Sequence, residues 1–294
     1  MTETLDPLAA ARAAPPPSRR RMNALSAIAI FGALTIVAGV VLVPILATVL
    51  GGFKTLGELR VNLLGLPHQW VWDNYWQVLA SPRYWRTLGN SLLIGLFTVA
   101  ITLALSSMAA FAFAHLKFFG GKFLLNYLLL GMLFPSATAI LPLFIKIRDL
   151  GLLDSYAGVV LPQVAFSLAM AVLLLRNAFM QLPSELLDAA LMDGCGYFRY
   201  FFFITLPLSG PILSTVAVIS FVSSWNGYLL PLVVLDTESR YPWTLGLMAY
   251  QGQYNTSWQL VLAFITLTIL PAILMFLFAQ RYIVAGLTAG AVKA

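Results

Sequence analysis

The side chains that could do chemistry in this chain are few, and their spacing suits holding something rather than breaking a bond. Trp225 and Asn226 stand together in one apolar stretch, and Gln163 lies in another. An aromatic face stacks on the CH surface of a sugar, and a carboxamide offers hydroxyl groups both a donor and an acceptor. These three residues are candidates for lining a solute pathway. The competing role for neutral polar groups in such stretches, best suited to Ser214, Thr215 and Ser220, is hydrogen bonding between helices, worth about 2 kcal/mol at most. A second group is acidic: Glu185, Asp188 and Asp193 lie within nine residues of one another. The patterns for bond-breaking are missing. There is no His-Glu-x-x-His and no Gly-x-Ser-x-Gly, and Gly121-Lys122 is followed by Phe123 rather than Ser or Thr, so no phosphate loop follows. Two histidines make a histidine-based metal site improbable, and the single Cys195 rules out an internal disulfide.

The elements that position these residues are dictated by solvent. Of the 294 residues 60% are hydrophobic and only 10% charged, against about a quarter charged in a soluble domain. The mean hydropathy is +0.88. Six apolar runs stand out: Leu25–Leu50, Leu88–Ala114, Phe123–Ile145, Tyr156–Leu175, Leu206–Leu235 and Gln259–Ala279. None contains Asp, Glu, Lys or Arg, and each is long enough for the roughly 20 residues that cross a bilayer. The first run exceeds a signal-peptide core and reads as a retained anchor. Pro135 and Pro142 are expected to bend the third run, freeing backbone carbonyls. Residues 1–24, rich in Ala, Pro and Arg, read as a disordered cytoplasmic tail. Between Gly51 and Thr87 an aromatic group (Trp70, Trp72, Tyr75, Trp76, Tyr84, Trp85) fits either an interfacial helix along one membrane face or a small packed cap.

Charge orients the chain. The Arg19-Arg20-Arg21 triplet abuts the first run, and a small majority of the 17 basic residues falls inside if the N-terminus does. Both termini are therefore expected in the cytoplasm. The formal charge of +6 reads as this orientation signal and not as affinity for nucleic acid. Ion-coupled carriers usually need ionisable groups within the membrane, so charge-free spans weigh against a secondary transporter and suggest that energy enters from outside the bilayer.

The most informative stretch is 183–207. Pro183, Ser184 and Glu185 suit a helix start. Leu186, Leu187, Ala190 and Leu191 share one face at helical spacing, and Glu185, Asp188 and Met192 another. Gly194 and Gly196 should end that helix. Arg199–Ile204 reads as a second short helix entering the next span at Leu206-Pro207. A small, partly acidic helix–glycine–helix is shaped as a knob for a partner's groove, yet the same pattern suits an ordinary interfacial hairpin.

Here the chain resembles a known family. Asp188-Ala189-Ala190, then Gly194, then Ile204, Leu206 and Pro207 match the spacing of the EAA loop of ABC importer permeases, with Asp188 in place of the usual Glu and Cys195 in place of a usual Ala. The stretch Gln280-Arg281-Tyr282-Ile283-Val284-Ala285-Gly286-Leu287-Thr288-Ala289-Gly290-Ala291-Val292-Lys293 is similar to the tail of the smaller permease of maltose-type carbohydrate importers. Gly151-Leu152-Leu153-Asp154 and Trp225-Asn226 are weaker echoes, and Gly227 stands where relatives often have an acidic residue.

The resemblance implies an all-α membrane protein of six transmembrane helices, with a cytoplasmic coupling loop (183–207) between the fourth and fifth. The permease domain would span 25–281 and the cytoplasmic tail 282–294. Glu185, Asp188, Ala189, Ala190, Asp193, Gly194, Leu206 and Pro207 would couple to an ATPase dimer, and Gly286, Gly290 and Lys293 would reach it from the tail. The chain itself would be non-catalytic and need no cofactor, with ATP and Mg held by the ATPase subunits. The other implied partners are a second permease, an extracytoplasmic solute-binding protein and membrane lipid, in the bacterial cytoplasmic membrane. The implied solute is a sugar or oligosaccharide; a polyol or glycerol-phosphate-type solute is the alternative, and a secondary transporter the more distant one.

Overall fold

The computed structural model describes residues 24–252 and 255–289. The tail to Asn23, and Gly290 and Lys293 with their neighbours, lie outside the described residues. Residues up to Ala47 form one compact unit and those from Thr48 a second. The described part of the first lies within α1 (Ala24–Gly51), which contains Pro44 and no charged residue.

The second unit is helical, with α2 (Leu56–Val61), α3 (Asp73–Ala80), α4 (Pro82–His115), α5 (Gly121–Leu130), α6 (Ile140–Asp149), α7 (Tyr156–Phe179), α8 (Ser184–Met192), α9 (Tyr197–Tyr200), α10 (Leu206–Leu208), α11 (Gly210–Trp225), α12 (Leu229–Val234), α13 (Trp243–Gly246) and α14 (Trp258–Ala289). Among the described residues four helices are long and apolar enough to cross a membrane, within Ile28–Gly51, Pro82–His115, Tyr156–Phe179 and Trp258–Leu277. Tyr197–Leu208 and Gly210–Trp225 qualify together but meet at a 78° bend.

Helix α4 packs most extensively on α7, and α11 lies against both α4 and α14. The buried side of α4 carries a stripe of small residues, Thr87, Ser91, Thr98, Thr102, Ser106 and Ala110, alongside the larger Tyr84, Ile94 and Phe111. In a lipid surround apolar contact between helices brings no water-exclusion gain, so close approach of small side chains and hydrogen bonds must hold them. The α4 stripe supplies that approach.

Two apolar runs depart from single helices. The third run stops after the 3₁₀ turn Gly131–Leu133, where Phe134 is extended (φ −84°, ψ 116°) ahead of Pro135. A residue before proline is pushed out of the α region, so Pro135 breaks the run instead of bending it. Pro142 then sits in the first turn of α6, where its missing N–H costs nothing. The fifth run is bent at Ser209 and stops again at Trp225. Asn226 and Gly227 separate it from α12.

The 51–87 segment is a packed cap. The Phe53 ring lies 4.4 Å from Tyr75, 4.7 Å from Trp72 and 5.2 Å from Trp70. Tyr75 and Val78 pack with Tyr84, Ala263 and Phe264. Lys54 is 0% exposed, and its Nζ donates to the carbonyls of Asn62, Leu63 and Gly65 at 2.6, 3.2 and 2.7 Å. Trp70, Trp72, Trp76 and Trp85 remain exposed around this cap.

A second device ties the turn before α7 to the segment after α12. Asp154 takes φ 49°, unusual for a residue with a side chain. Its carboxylate accepts from the Thr237 hydroxyl at 2.6 Å and from the N–H groups of Thr237 and Asp236 at 3.0 and 3.1 Å, and it pairs with Arg240. The Thr237 hydroxyl and N–H, with the Asp236 N–H and the Arg240 charge, lower its pKa to about 2. No pattern in the sequence singled out this clasp.

Candidate functional site

Two places bring together the residues picked out above. The first is the helix–glycine–helix. Pro183 caps α8 from an extended backbone (ψ 131°), and the helix runs through Met192. It ends in a Schellman turn: Gly194 at φ +74°, its N–H to Leu191 O at 3.1 Å, and the Cys195 N–H to Ala190 O at 2.8 Å. Cys195 packs into the same cluster as Ala190, as the residue after such a turn commonly does. Gly196, by contrast, takes no left-handed conformation and caps α9.

Only Leu187 and Ala190 of the apolar face turn into the core, against Phe179, Tyr200 and Phe201. Leu186 and Leu191 stay exposed, contrary to a single buried face, and Met192 is 88% exposed. Glu185, Asp188, Ala189, Asp193 and Gly194 are exposed on the same short element. It thus presents carboxylates interleaved with large apolar side chains. Ala190 and Leu206 are held inward, so they seat the knob and do not present it. Pro207 is exposed beyond a π-helical turn, Phe201–Thr205, closed by the Leu206 N–H on Phe201 O. Such turns recur at functional sites. Leu206 and Pro207 belong to this loop side of the 78° bend and not to α11. Gly286 lies in the backbone of α14.

The second place is a cavity of about 370 Å³ between α4, α6, α7, α11 and α12, the size of a small-molecule site. Its lining includes Thr98, Gln163, Ser220, Ser223, Gly227 and Tyr228, and no Asp, Glu, Lys, Arg or His. Gln163 is the junction: its Oε1 accepts from Thr98 Oγ1 on α4 at 3.0 Å and from Ser224 Oγ on α11 at 2.6 Å. These two partners escaped the sequence reading, since 65 and 61 residues separate them from Gln163.

Trp225 is not in that lining. It is 3% exposed, stacked on Phe221 at 5.4 Å, and its carbonyl accepts from the Trp243 indole N–H at 2.7 Å. Asn226 is exposed, and its Nδ2 donates to Val222 O at 2.9 Å. Ser214 and Thr215 donate to Gly210 O and Pro211 O of their own helix, so the cross-helix glue expected of them goes instead through Gln163.

Membrane-length apolar helices around an uncharged cavity, with an exposed knob beside the bent helix pair, define a polytopic membrane permease. The chain belongs to the binding-protein-dependent transport system inner membrane component family, whose model matches residues 85–288. It is 35% identical over 261 residues to the arabinooligosaccharides transport system permease protein AraQ of Halalkalibacterium halodurans, covering 87% of this chain and 93% of that one. It is 34% identical over 261 residues to the trehalose transport system permease protein SugB of Mycobacterium tuberculosis, covering 88% and 95%. Among solved structures it resembles a chain of a bacterial ABC transporter that imports the acidic polysaccharide alginate, with TM-score 0.76 and 25% identity over 92% of this chain and 100% of that one. Permeases of this family are non-catalytic subunits of ABC importers, ATP being hydrolysed on separate ATPase subunits, and they work with a solute-binding protein.

Proposed function

We propose that this chain forms about half of the translocation pathway of an ATP-driven importer for a neutral sugar or short oligosaccharide. A second, related permease would complete the pathway, and an extracytoplasmic binding protein would deliver the solute. Two ATPase subunits, holding ATP and Mg, would dock on the α8–α9 knob through Glu185, Asp188, Ala189, Asp193 and Gly194. The observation that carries this reading is the cavity: hydroxyl and amide groups set among apolar side chains, with no fixed charge among its lining residues. A glycerol-phosphate-type solute would bring a negative charge into an apolar surround with no cation to meet it, which is costly. An ion-coupled carrier lacks a place for its coupling charge there.

In this reading the chain crosses the membrane six times. The helices around Gly131–Pro142 make the third crossing and the bent pair the fifth, with both termini, the knob and the tail at 282–294 in the cytoplasm. The residues 1–24 form the leading cytoplasmic tail. ATP binding favours the state in which the ATPases close, and the knob passes that closure to α11 through the π turn and the bend at Ser209. Energy enters only as the difference in ATP affinity between the two states. The test is reconstitution of the full complex in proteoliposomes with labelled neutral sugars. ATP- and binding-protein-dependent uptake is the expected result; uptake driven by an ion gradient without ATP would overturn the reading.

A further inference from the structure

Several donors that line the cavity make no hydrogen bond among the described residues, the Gln163 amide and the hydroxyls of Ser136, Ser220, Ser223 and Tyr228 among them. Of these the amide is the one held in place by bonds at its other end. Oε1 of Gln163 is doubly occupied by Thr98 and Ser224, which fixes the amide plane and turns Nε2 the other way. Among the described residues Nε2 makes no hydrogen bond, and it borders the cavity. What keeps it open is Gly227: a Cβ there would stand 3.1 Å from Nε2 and 3.0 Å from Ser224 O.

The next residue is Tyr228, 46% exposed. It lines this cavity and also a second one of about 320 Å³, bounded by Trp243, Thr244, Leu247, Met248 and Gln251. Tyr228 therefore borders both spaces. The break at Asn226 and Gly227 explains the exchange of aromatic rings. The last turn of α11 buries Trp225, and the chain then reverses to put Tyr228 on the open side.

We infer that Gln163, Gly227 and Tyr228 form a subsite for one sugar unit of the carried solute. The CH face of the unit stacks on the Tyr228 ring, and one hydroxyl or ring oxygen accepts from Gln163 Nε2. The subsite is selective because a locked amide presents donors only. An unpaired N–H in an apolar cavity is costly, so a sugar lacking the matching oxygen forfeits the bond and leaves that cost unrelieved. Thr98 and Ser224 act as positioning residues, since they hold the amide without reaching the sugar.

This inference rests on the sugar-importer reading, and the experiment separates the two. The complete complex, with second permease, ATPase pair and binding protein, is screened in proteoliposomes with labelled neutral mono- to trisaccharides. The sugar carried fastest becomes the probe, together with its monodeoxy analogues, and uptake is normalised to assembled complex. One deoxy position should slow the wild type about tenfold, the worth of one good hydrogen bond. Gln163→Leu should slow the probe about tenfold and erase that deoxy penalty. Gly227→Ala, whose Cβ would stand 3.1 Å from Nε2 and 3.0 Å from Ser224 O, should act the same way, and it serves as the test if Gln163→Leu assembles poorly. Tyr228→Leu should slow every sugar and keep the deoxy penalty. Wild-type rates with an intact deoxy penalty in Gln163→Leu or Gly227→Ala would overturn the subsite alone. A wild-type complex that carries no sugar would overturn the subsite and the sugar reading together.

Discussion

Gly194 closes the turn between α8 and α9 at φ +74°, and a Cβ built on it would meet no atom within 4 Å. The cost of Gly194→Ala within this chain is thus backbone strain alone, about 1–2 kcal/mol. That strain acts on a nine-residue helix seated in the core mainly by Leu187 and Ala190. Relief of the strain would pull apart the two bonds that end the helix, Gly194 N–H to Leu191 O and Cys195 N–H to Ala190 O. The knob should then hold its docking shape about 5–30-fold less often. Asn tolerates the left-handed region better than other side chains, so Gly194→Asn should recover most of that loss if the backbone were the whole story. Gly194→Arg adds bulk and a positive charge beside Asp188 and Asp193, in space that is open within this chain. The assay is co-purification of the ATPase with each variant, together with sugar-stimulated ATP hydrolysis in proteoliposomes. Ala should capture less ATPase, Asn should fall between Ala and wild type, and Arg should capture none while still inserting in the membrane. Wild-type capture and stimulation by Gly194→Arg would refute the reasoning: the turn would then be an interfacial hairpin with no partner against it.

Lys54→Met removes a buried ammonium from three carbonyls, so the cap around Phe53 should lose about 1–3 kcal/mol and the detergent-solubilised protein should melt earlier; an unchanged melting temperature would count against Lys54 holding the cap. The Asp154 carboxylate has its pKa lowered to about 2, chiefly by Thr237, so its contribution is complete above its ordinary value near 4 and is lost as pH falls toward 2. Amides of the 235–240 segment should accordingly be less protected, relative to their intrinsic exchange rates, in Asp154→Ala at neutral pH, and in the wild type only on acidification through that window. Equal exchange in Asp154→Ala and wild type at pH 7 would contradict this. Reporter fusions at Asp154 and Glu238 should lie outside and those at Lys117 and Arg199 inside; the inverse pattern would overturn the topology. Deleting residues 286–294 removes no apolar run, so insertion should survive while transport or its regulation changes, and wild-type uptake and ATP hydrolysis would show that the tail has no such role.

Much of this architecture follows from composition and local pattern. A chain with one charged residue in ten cannot cover itself for water, and long runs without a charge can satisfy their backbone in lipid only as helices. The α8 knob was equally legible, because proline starts, helical spacing and a glycine stop act within one or two turns of chain. Gly194 indeed carries the left-handed turn, although Gly196 does not. The interruptions were harder to read. Pro135 favoured a boundary as much as a bend, and the 78° turn at Ser209 has no local signature beyond the prolines on either side of it. Packing of Tyr200 and Phe201 against Phe111, Leu175 and Phe179 holds the arm that precedes that turn. The candidate pathway residues divide in the same way. Gln163, a lone amide in an apolar run, was visible as a polar group without an obvious local partner. Trp225 looked suited to a sugar, but which side of a broken helix an aromatic ring faces depends on neighbours far along the chain. Phe221 and Trp243 take Trp225 inward, and the break at Gly227 leaves Tyr228 to the cavity. The orientation of the Gln163 amide likewise comes from hydroxyls on two other helices, and only the assembled bundle brings those within 3 Å.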